Sequence, residues 1–259
     1  MSALTHIQTP EERELERKQA EIDRLSAQLA DRELELETLR VELTAFQTRY
    51  LNSVGPYFRE LDDLEARIAE LRARHVPHDS AAQSQAQDAR ARAEESREQV
   101  DAAAREPEPF LPTAELKALY RRAAARLHPD RADNDADRLY RNAAMSALNA
   151  AYQAGDSARM QALLDEYAQR PEAITGEDTG AKLIRLIRQA AQLEQRIVTV
   201  AAEITALQAS ELHQLRQQIQ TEEAQGHDPL SQLAAQLQRQ IETARDGLAQ
   251  LTRLIPPNR

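Results

Sequence analysis

Leu15, Ile22, Leu29, Leu36, Leu43 and Tyr50 recur every seven residues, and Leu25, Leu39 and Phe46 fill intermediate positions that Lys18 and Arg32 interrupt. A strict seven-residue apolar repeat predicts a helix that supercoils on a partner helix. Its start is marked by Thr9-Pro10-Glu11-Glu12. Thr9 can cap, proline suits the first helical position, and Glu12 can reach back to close a capping box. Gly55-Pro56 predicts a kink or short interruption, because proline lacks a donor and crowds the preceding turn. Phe46, Tyr50, Tyr57 and Phe58 gather there and are expected to fill the gap that a kink opens. Leu61, Leu64, Ile68 and Leu71 then carry the pattern to Val76-Pro77, so a first arm is expected over 9–76 with its break at 55–56.

Residues 79–109 are rich in Ala, Gln, Arg, Glu and Ser, and Val100 is their one large aliphatic. With little to bury, the segment reads as a linker, at most transiently helical, closed by Pro107, Pro109 and Pro112. A compact segment is expected over 110–170, where Phe110, Tyr120, Tyr140, Tyr152 and Tyr167 fall. After Pro171, a second arm over 178–255 carries Leu183, Leu186, Ala190, Leu193, Ile197, Val200, Ile204 and Leu207 at alternating spacings of three and four. The phase slips at Leu212, Leu215 and Ile219, as at a stutter. Gly226-His227-Asp228-Pro229 is a loop that restarts a helix reaching Pro256, with Asp228 as its cap. The second arm is therefore expected to be a helical hairpin.

Composition agrees with an all-α chain. Only 3% of the 259 residues are aromatic and there are six glycines, so helix-on-helix burial must supply most of the core. The net charge of −10 argues against general nucleic-acid binding, which rests on neutralising phosphates. No apolar run reaches the length of a membrane span, and Met1 to Pro10 lack the layout of a secretory signal. With no cysteine there are neither disulfides nor thiolate metal sites, which fits a cytoplasmic protein.

Against this acidic background, one helix is basic. Thr113 can cap it and Glu115 sits favourably in its first turn. Leu116, Leu119, Tyr120, Ala123 and Leu127 share one face; Lys117, Arg121, Arg122 and Arg126 occupy the other, four cations against the single carboxylate Glu115. Pro129 must end the helix and hold His128 extended, so His128 and Asp130 are confined to a tight loop beside the basic face. A second helix follows, with Leu139, Tyr140, Ala143, Ala147, Leu148 and Ala151 as its expected apolar side. Gly155-Asp156 closes it and caps a third helix bearing Met160, Leu163, Leu164 and Tyr167.

These residues resemble the J domain of DnaJ-type co-chaperones over about sixty residues, 110–170. In that family the helix before His-Pro-Asp reads Ala-Tyr-Lys-Arg-Leu-Ala-x-Lys-Tyr, and Tyr120, Arg121, Arg122, Ala124, Arg126 and Leu127 fall in register with it. Asp130-Arg131 continues the pattern, and Asn149-Ala150-Ala151-Tyr152 is similar to the Ala-Tyr ending of the family's third helix. The chain departs from the family in lacking a Tyr-Tyr-x-x-Leu first helix, in Ala132 where Asn is common, and in having neither a Gly/Phe-rich segment nor zinc-binding cysteines. An arm or the linker is expected to take the missing helix's place. The layout, with a J segment between long arms, is similar to that of bacterial coiled-coil J-domain proteins.

The resemblance implies an all-α protein in which long coiled-coil helices flank a small J-domain-like hairpin. It implies that His128, Pro129 and Asp130 trigger ATP hydrolysis in a DnaK-type chaperone, and that Lys117, Tyr120, Arg121, Arg122, Arg126 and Arg131 dock on it. It implies no enzyme activity and no cofactor of the chain's own. The arms are expected to dimerise or to recruit a client, pairing within one chain or between two. The competing expectation is a coiled-coil scaffold with a degenerate J segment. Other constellations carry less: His128 with Asp130 lacks a third metal ligand or a nucleophile, and His75 with His78 reads as a solvated pair at a helix end. His213 and His227 read as exposed, and Glu33, Glu35 and Glu37 as a solvated flank of the first arm.

Overall fold

A computed structural model describes residues 9–105, 111–132, 135–168 and 179–254. Among them the chain is all helical, without a strand. The helices are α1 (Pro10–His75), α2 (Ser80–Arg105), α3 (Ala114–Leu127), α4 (Asp135–Gln153), α5 (Ser157–Ala168), α6 (Thr179–Gln208), α7 (Glu211–Ala224) and α8 (Pro229–Leu254), with a 3-10 turn at Pro129–Arg131. No helix among the described residues is long and apolar enough to cross a membrane. The roles expected of Phe110, Pro107, Pro109, Pro171 and Pro256 lie outside the described residues.

Local chemistry sets several of the boundaries. The capping box at the start of α1 forms in both directions: Thr9 donates its N–H to Glu12 Oε2 (2.8 Å), and Glu12 donates its own to Thr9 Oγ1 (3.2 Å). Asp228 accepts the Ser231 N–H at 3.0 Å to open α8, and Asp156 accepts that of Arg159 at 2.8 Å to open α5. Gly155 and Gly226, at φ 71° and 85°, supply the left-handed residues between helices.

The chain packs as two units. One comprises α1 up to Glu42 together with α3, α4, α5 and α6; the other comprises α1 from Leu43 with α2, α7 and α8.

In the second unit, α1 runs through Gly55-Pro56 without the expected interruption. Phe46 and Val54, with Tyr50, Tyr57 and Phe58 against them, join Ile219, Leu230 and Leu237 in one core. That packing holds the helix where proline removes a hydrogen bond, so the aromatics fill a core and not a gap in a broken helix. The segment 79–109 also differs from its reading as a linker, for 80–105 are α2. Its Ala86, Ala89, Ala93 and Ala103 are buried, with Ala89 and Ala93 against Ala66 and Ala69 of α1. Small side chains let the two backbones approach closely. A Cβ on Gly55 would lie 2.7 Å from Val100 Cγ2, so glycine makes room for α2 there. The slip in phase near 210 is a stop between α6 and α7 at Ala209-Ser210, not a stutter within one helix.

In the first unit, Ala30, Leu34 and Val41 of α1 belong to the same core as Leu119, Tyr120 and Leu127 of α3, Leu148 and Tyr152 of α4, and Met160 and Leu164 of α5. The apolar seam Ile22, Leu25, Leu29 and Leu36 is a separate stripe of α1 and is buried too. On α6, Ala190, Leu193, Val200 and Ile204 are buried, and Arg40 of α1 pairs with Glu203 at 3.0 Å. Helix α4 is rotated from its expected phase: Leu139 is 72% exposed, whereas Arg141, Ala144 and Met145 are buried.

Candidate functional site

Thr113 Oγ1 accepts the Leu116 N–H at 3.2 Å, fixing the start of α3. The apolar face of the helix, Leu116, Leu119, Tyr120, Ala123 and Leu127, is buried as its spacing requires. On the opposite face Arg121, Arg122 and Arg126 are exposed and Lys117 is half-buried. Arg121 pairs with Asp31, and Arg131 pairs with Asp23 at 3.1 Å while also donating to the Ala125 carbonyl at 3.0 Å. Lys117, Arg122 and Arg126 have no ion-pair partner among the described residues.

Tyr120 stands apart from this set. It is completely buried, donates its hydroxyl to Asn149 Oδ1 at 2.8 Å and packs on the Tyr152 ring at a centroid distance of 4.8 Å. Burial drives its phenol far above the ordinary range. Tyr120 is therefore a core residue, and the docking role expected of it is corrected: its apolar-face position outweighs its place in the motif.

Proline ends α3 as expected. His128 takes φ −58° and ψ 132°, extended as a residue before proline must be. The turn closes through Arg131 N–H to the His128 carbonyl (3.2 Å) and Ala132 N–H to the Pro129 carbonyl (3.1 Å). The imidazole helps, because His128 Nδ1 accepts the Asp130 N–H at 3.2 Å. Nδ1 being an acceptor, Nε2 carries the proton and donates to Glu33 Oε1, also 3.2 Å away. The ring is 4% exposed, wedged between the turn and α1.

Behind the turn, Arg141 of α4 is buried and spans three elements. Its Nη1 donates to the Arg126 carbonyl (2.7 Å) and the His128 carbonyl (3.4 Å), its Nε to Asp137 Oδ2 (2.6 Å), and its Nη2 to the Tyr167 hydroxyl. The guanidinium also lies 5.0 Å above the Tyr167 ring. The first of these bonds satisfies a carbonyl at the end of α3, and the second gives the His128 carbonyl a donor beside the Arg131 N–H.

The turn opens onto a cleft of about 620 Å³ bordered by Glu33, His128, Asp130, Asn142, Asn149 and Arg196. Burial pushes the Asp130 carboxyl above its usual range, against the opposing pull of His128 and Arg196. Arg196 of α6 reaches Glu33 Oε1 at 3.5 Å and Glu203 at 3.4 Å. Glu33 Oε2 is buried without a hydrogen-bond partner among the described residues. Deeper along α1, Glu37 accepts from Gln153 at 2.8 Å, and the Thr38 and Tyr152 hydroxyls meet at 2.8 Å.

The reading of Glu33 and Glu37 as a solvated flank is thus corrected, since they are 5% and 2% exposed. The available signal was a second stripe on α1, in which Ala30, Leu34 and Val41 lie on the side that also carries the two carboxylates. Arg141 and Arg196 were likewise missed, each in a stretch otherwise read only for its apolar residues. Among the described residues no three His, Asp or Glu side chains are grouped to hold a metal ion. In comparisons with family models, curated proteins and solved structures, nothing matches this chain.

Proposed function

We propose that the chain is a J-type co-chaperone, acting in the cytoplasm, that docks on a DnaK-type ATPase chaperone through α3 and stimulates its ATP hydrolysis through His128, Pro129 and Asp130. The observation that carries this reading is a rigid His-Pro-Asp turn joining packed helices directly after exposed Arg122 and Arg126. Exposed cations on a firm helix steer an acidic partner, and a turn held by its own hydrogen bonds offers that partner a fixed geometry. On this reading α1 does the work of the missing first helix by supplying Ala30, Leu34 and Val41 to the hairpin core. On the same reading the long helices are coiled-coil arms that serve dimerisation or the recruitment of a client.

A second reading, a helical scaffold with a degenerate J segment, is favoured by one observation: His128 is sealed against Glu33. Single-turnover ATP hydrolysis by a DnaK-type chaperone separates the two. Wild-type protein is expected to raise the rate several-fold, His128→Gln and Asp130→Asn to return it to basal, and Arg122→Glu to weaken docking most at low salt. Basal rates for wild type and variants alike would leave the scaffold.

Asp130→Asn also guards against loss by unfolding. A carboxyl whose folded pKa is raised adds stability below the ordinary carboxylate range and loses it as pH rises through the folded pKa. At pH 7 its ionisation therefore works against the fold, and the neutral amide is expected to equal or exceed the wild-type Tm. The difference should vanish as the pH falls below the carboxylate range.

A further inference from the structure

Deepening the role of the arms in recruiting a client, and resting on that reading for its use, we propose that the cleft between α1, α2 and α8 binds an acidic amphipathic helix of the recruited protein.

This cleft, about 710 Å³, lies within the second unit. Leu61 and Ile68 of α1 are half-buried along it, with Ala89 of α2 and Ala244 of α8 beside them. Its cations come from all three helices: Arg72 of α1, Arg92 of α2 and Arg239 of α8 are exposed, and Glu65 is the single carboxylate of the lining. None of the three arginines has an ion-pair partner among the described residues. Elsewhere in this unit Arg49, Arg59, Arg97 and Arg245 each reach a carboxylate. A second cleft between α1 and α2 meets its four arginines with three carboxylates, Asp63, Glu70 and Glu94. In a chain of net charge −10, three arginines against one carboxylate is a local reversal of sign.

Charge complementarity defines the partner's chemistry, and the shape of the cleft defines its form. A guanidinium can take a carboxylate through two parallel hydrogen bonds, so free arginines around apolar ground favour an acidic ligand. Leu61, Glu65, Ile68 and Arg72 follow one stripe of α1 over roughly 16 Å, about three turns of helix. A groove of that length between helices takes a further helix, whose residues at i, i+3 or i+4, and i+7 enter it. Arg92 and Arg239 stand on different helices beside the stripe, so the incoming helix needs carboxylates on both flanks of its apolar side. A cationic helix is repelled, and a purely apolar one would cover the arginines without pairing them.

The test uses the full-length chain and a fluorescein-labelled synthetic helix of about five turns, with leucine along one side and glutamate on both flanks. A lysine-for-glutamate peptide and a proline-interrupted acidic peptide are the controls. Wild type is expected to bind the acidic helix at least about tenfold more tightly than either control, with affinity falling as salt rises. Arg92→Glu with Arg239→Glu is expected to weaken binding by at least about tenfold, and the corresponding glutamine pair serves should the glutamate pair fold poorly. Both side chains are exposed, so circular dichroism and Tm are expected to stay at wild-type values. Arg67→Glu, in the other cleft, is expected to leave binding unchanged. Equal binding by wild type and the double variants, or of the acidic and lysine peptides, would overturn the proposal. So would a proline-interrupted peptide that binds as well as the helix.

With a DnaK-type chaperone and no peptide, wild type and the double variants are expected to stimulate ATP hydrolysis equally, since neither arginine belongs to α3 or its turn. Peptide binding with ATPase at the basal rate would keep the cleft and remove the co-chaperone reading. Stimulation without peptide binding would do the reverse.

Discussion

Replacing Leu34 by Asp is expected to unfold the α3–α4–α5 bundle, although Leu34 belongs to a helix far upstream in sequence. Leu34 is 5% exposed and shares one core with Tyr120, Leu127, Leu148 and Met160. Truncating such a leucine to alanine typically costs about 2–5 kcal/mol, from lost transfer energy and the cavity left behind. Aspartate adds the burden of a carboxylate buried without a partner, and the total is comparable to the roughly 5–15 kcal/mol that holds a whole domain folded. Hydrogen exchange across α4 and α5, with urea unfolding followed by the near-ultraviolet signal of the Tyr120–Tyr152 pair, should register the loss. Leu34→Ala is expected to give an intermediate shift. Arg32→Ala should give almost none, because Arg32 is 46% exposed and its pair with Glu35 lies at the surface. A Leu34→Asp protein with wild-type exchange in α4 would mean that the hairpin stands without α1.

What the sequence made legible follows a physical division. Features set by neighbours in the chain were readable: the Thr9–Glu12 capping box, the Thr113 and Asp228 caps, the apolar face of α3 and the extended His128 before proline. Features set by what a helix packs against were not. Helix α2 escaped because its buried stripe is alanine, which contributes by letting backbones approach and not by apolar bulk. Pro56 does not interrupt α1, because packing around Val54 outweighs one missing hydrogen bond. On α1 the strong seam of Ile22, Leu29 and Leu36 hid a weaker stripe, Ala30, Leu34 and Val41, that builds the hairpin core. The turn residues His128, Pro129 and Asp130 and the exposed Arg122 and Arg126 were placed correctly in the local structure. Their surroundings, Glu33 from one direction and Arg196 from another, come from distant segments that no spacing rule connects. The phase of α4 failed for a related reason: a reading confined to apolar residues passed over Arg141, yet its charge is met inside by Asp137, carbonyls and a ring.

That last residue carries the second large effect. Arg141→Met, similar in length and without charge, is expected to lower the stability of the first unit by about 3–5 kcal/mol, the usual consequence of removing one partner from a buried ion pair. The loss has identifiable parts. Asp137, with 19% of its side chain exposed, loses its 2.6 Å partner, and the Arg126 carbonyl loses the donor that completes the end of α3. Because the same guanidinium also reaches the His128 carbonyl, the turn should loosen with it, and the Asp130 and Ala132 amides should exchange faster than those in mid-α3. If the Asp137 carboxylate, deprived of this guanidinium, accounts for much of the damage, removing it should help. Arg141→Met combined with Asp137→Leu is then expected to regain about 1–2 kcal/mol over Arg141→Met alone, a coupling that a double-mutant cycle in urea measures directly. The recovered stability should not restore slow exchange in the turn, since the carbonyls of Arg126 and His128 still lack the guanidinium that bridges them. Strict additivity of the two substitutions, or a turn that stays protected in both variants, would show that Arg141 fills space without bracing the His-Pro-Asp loop.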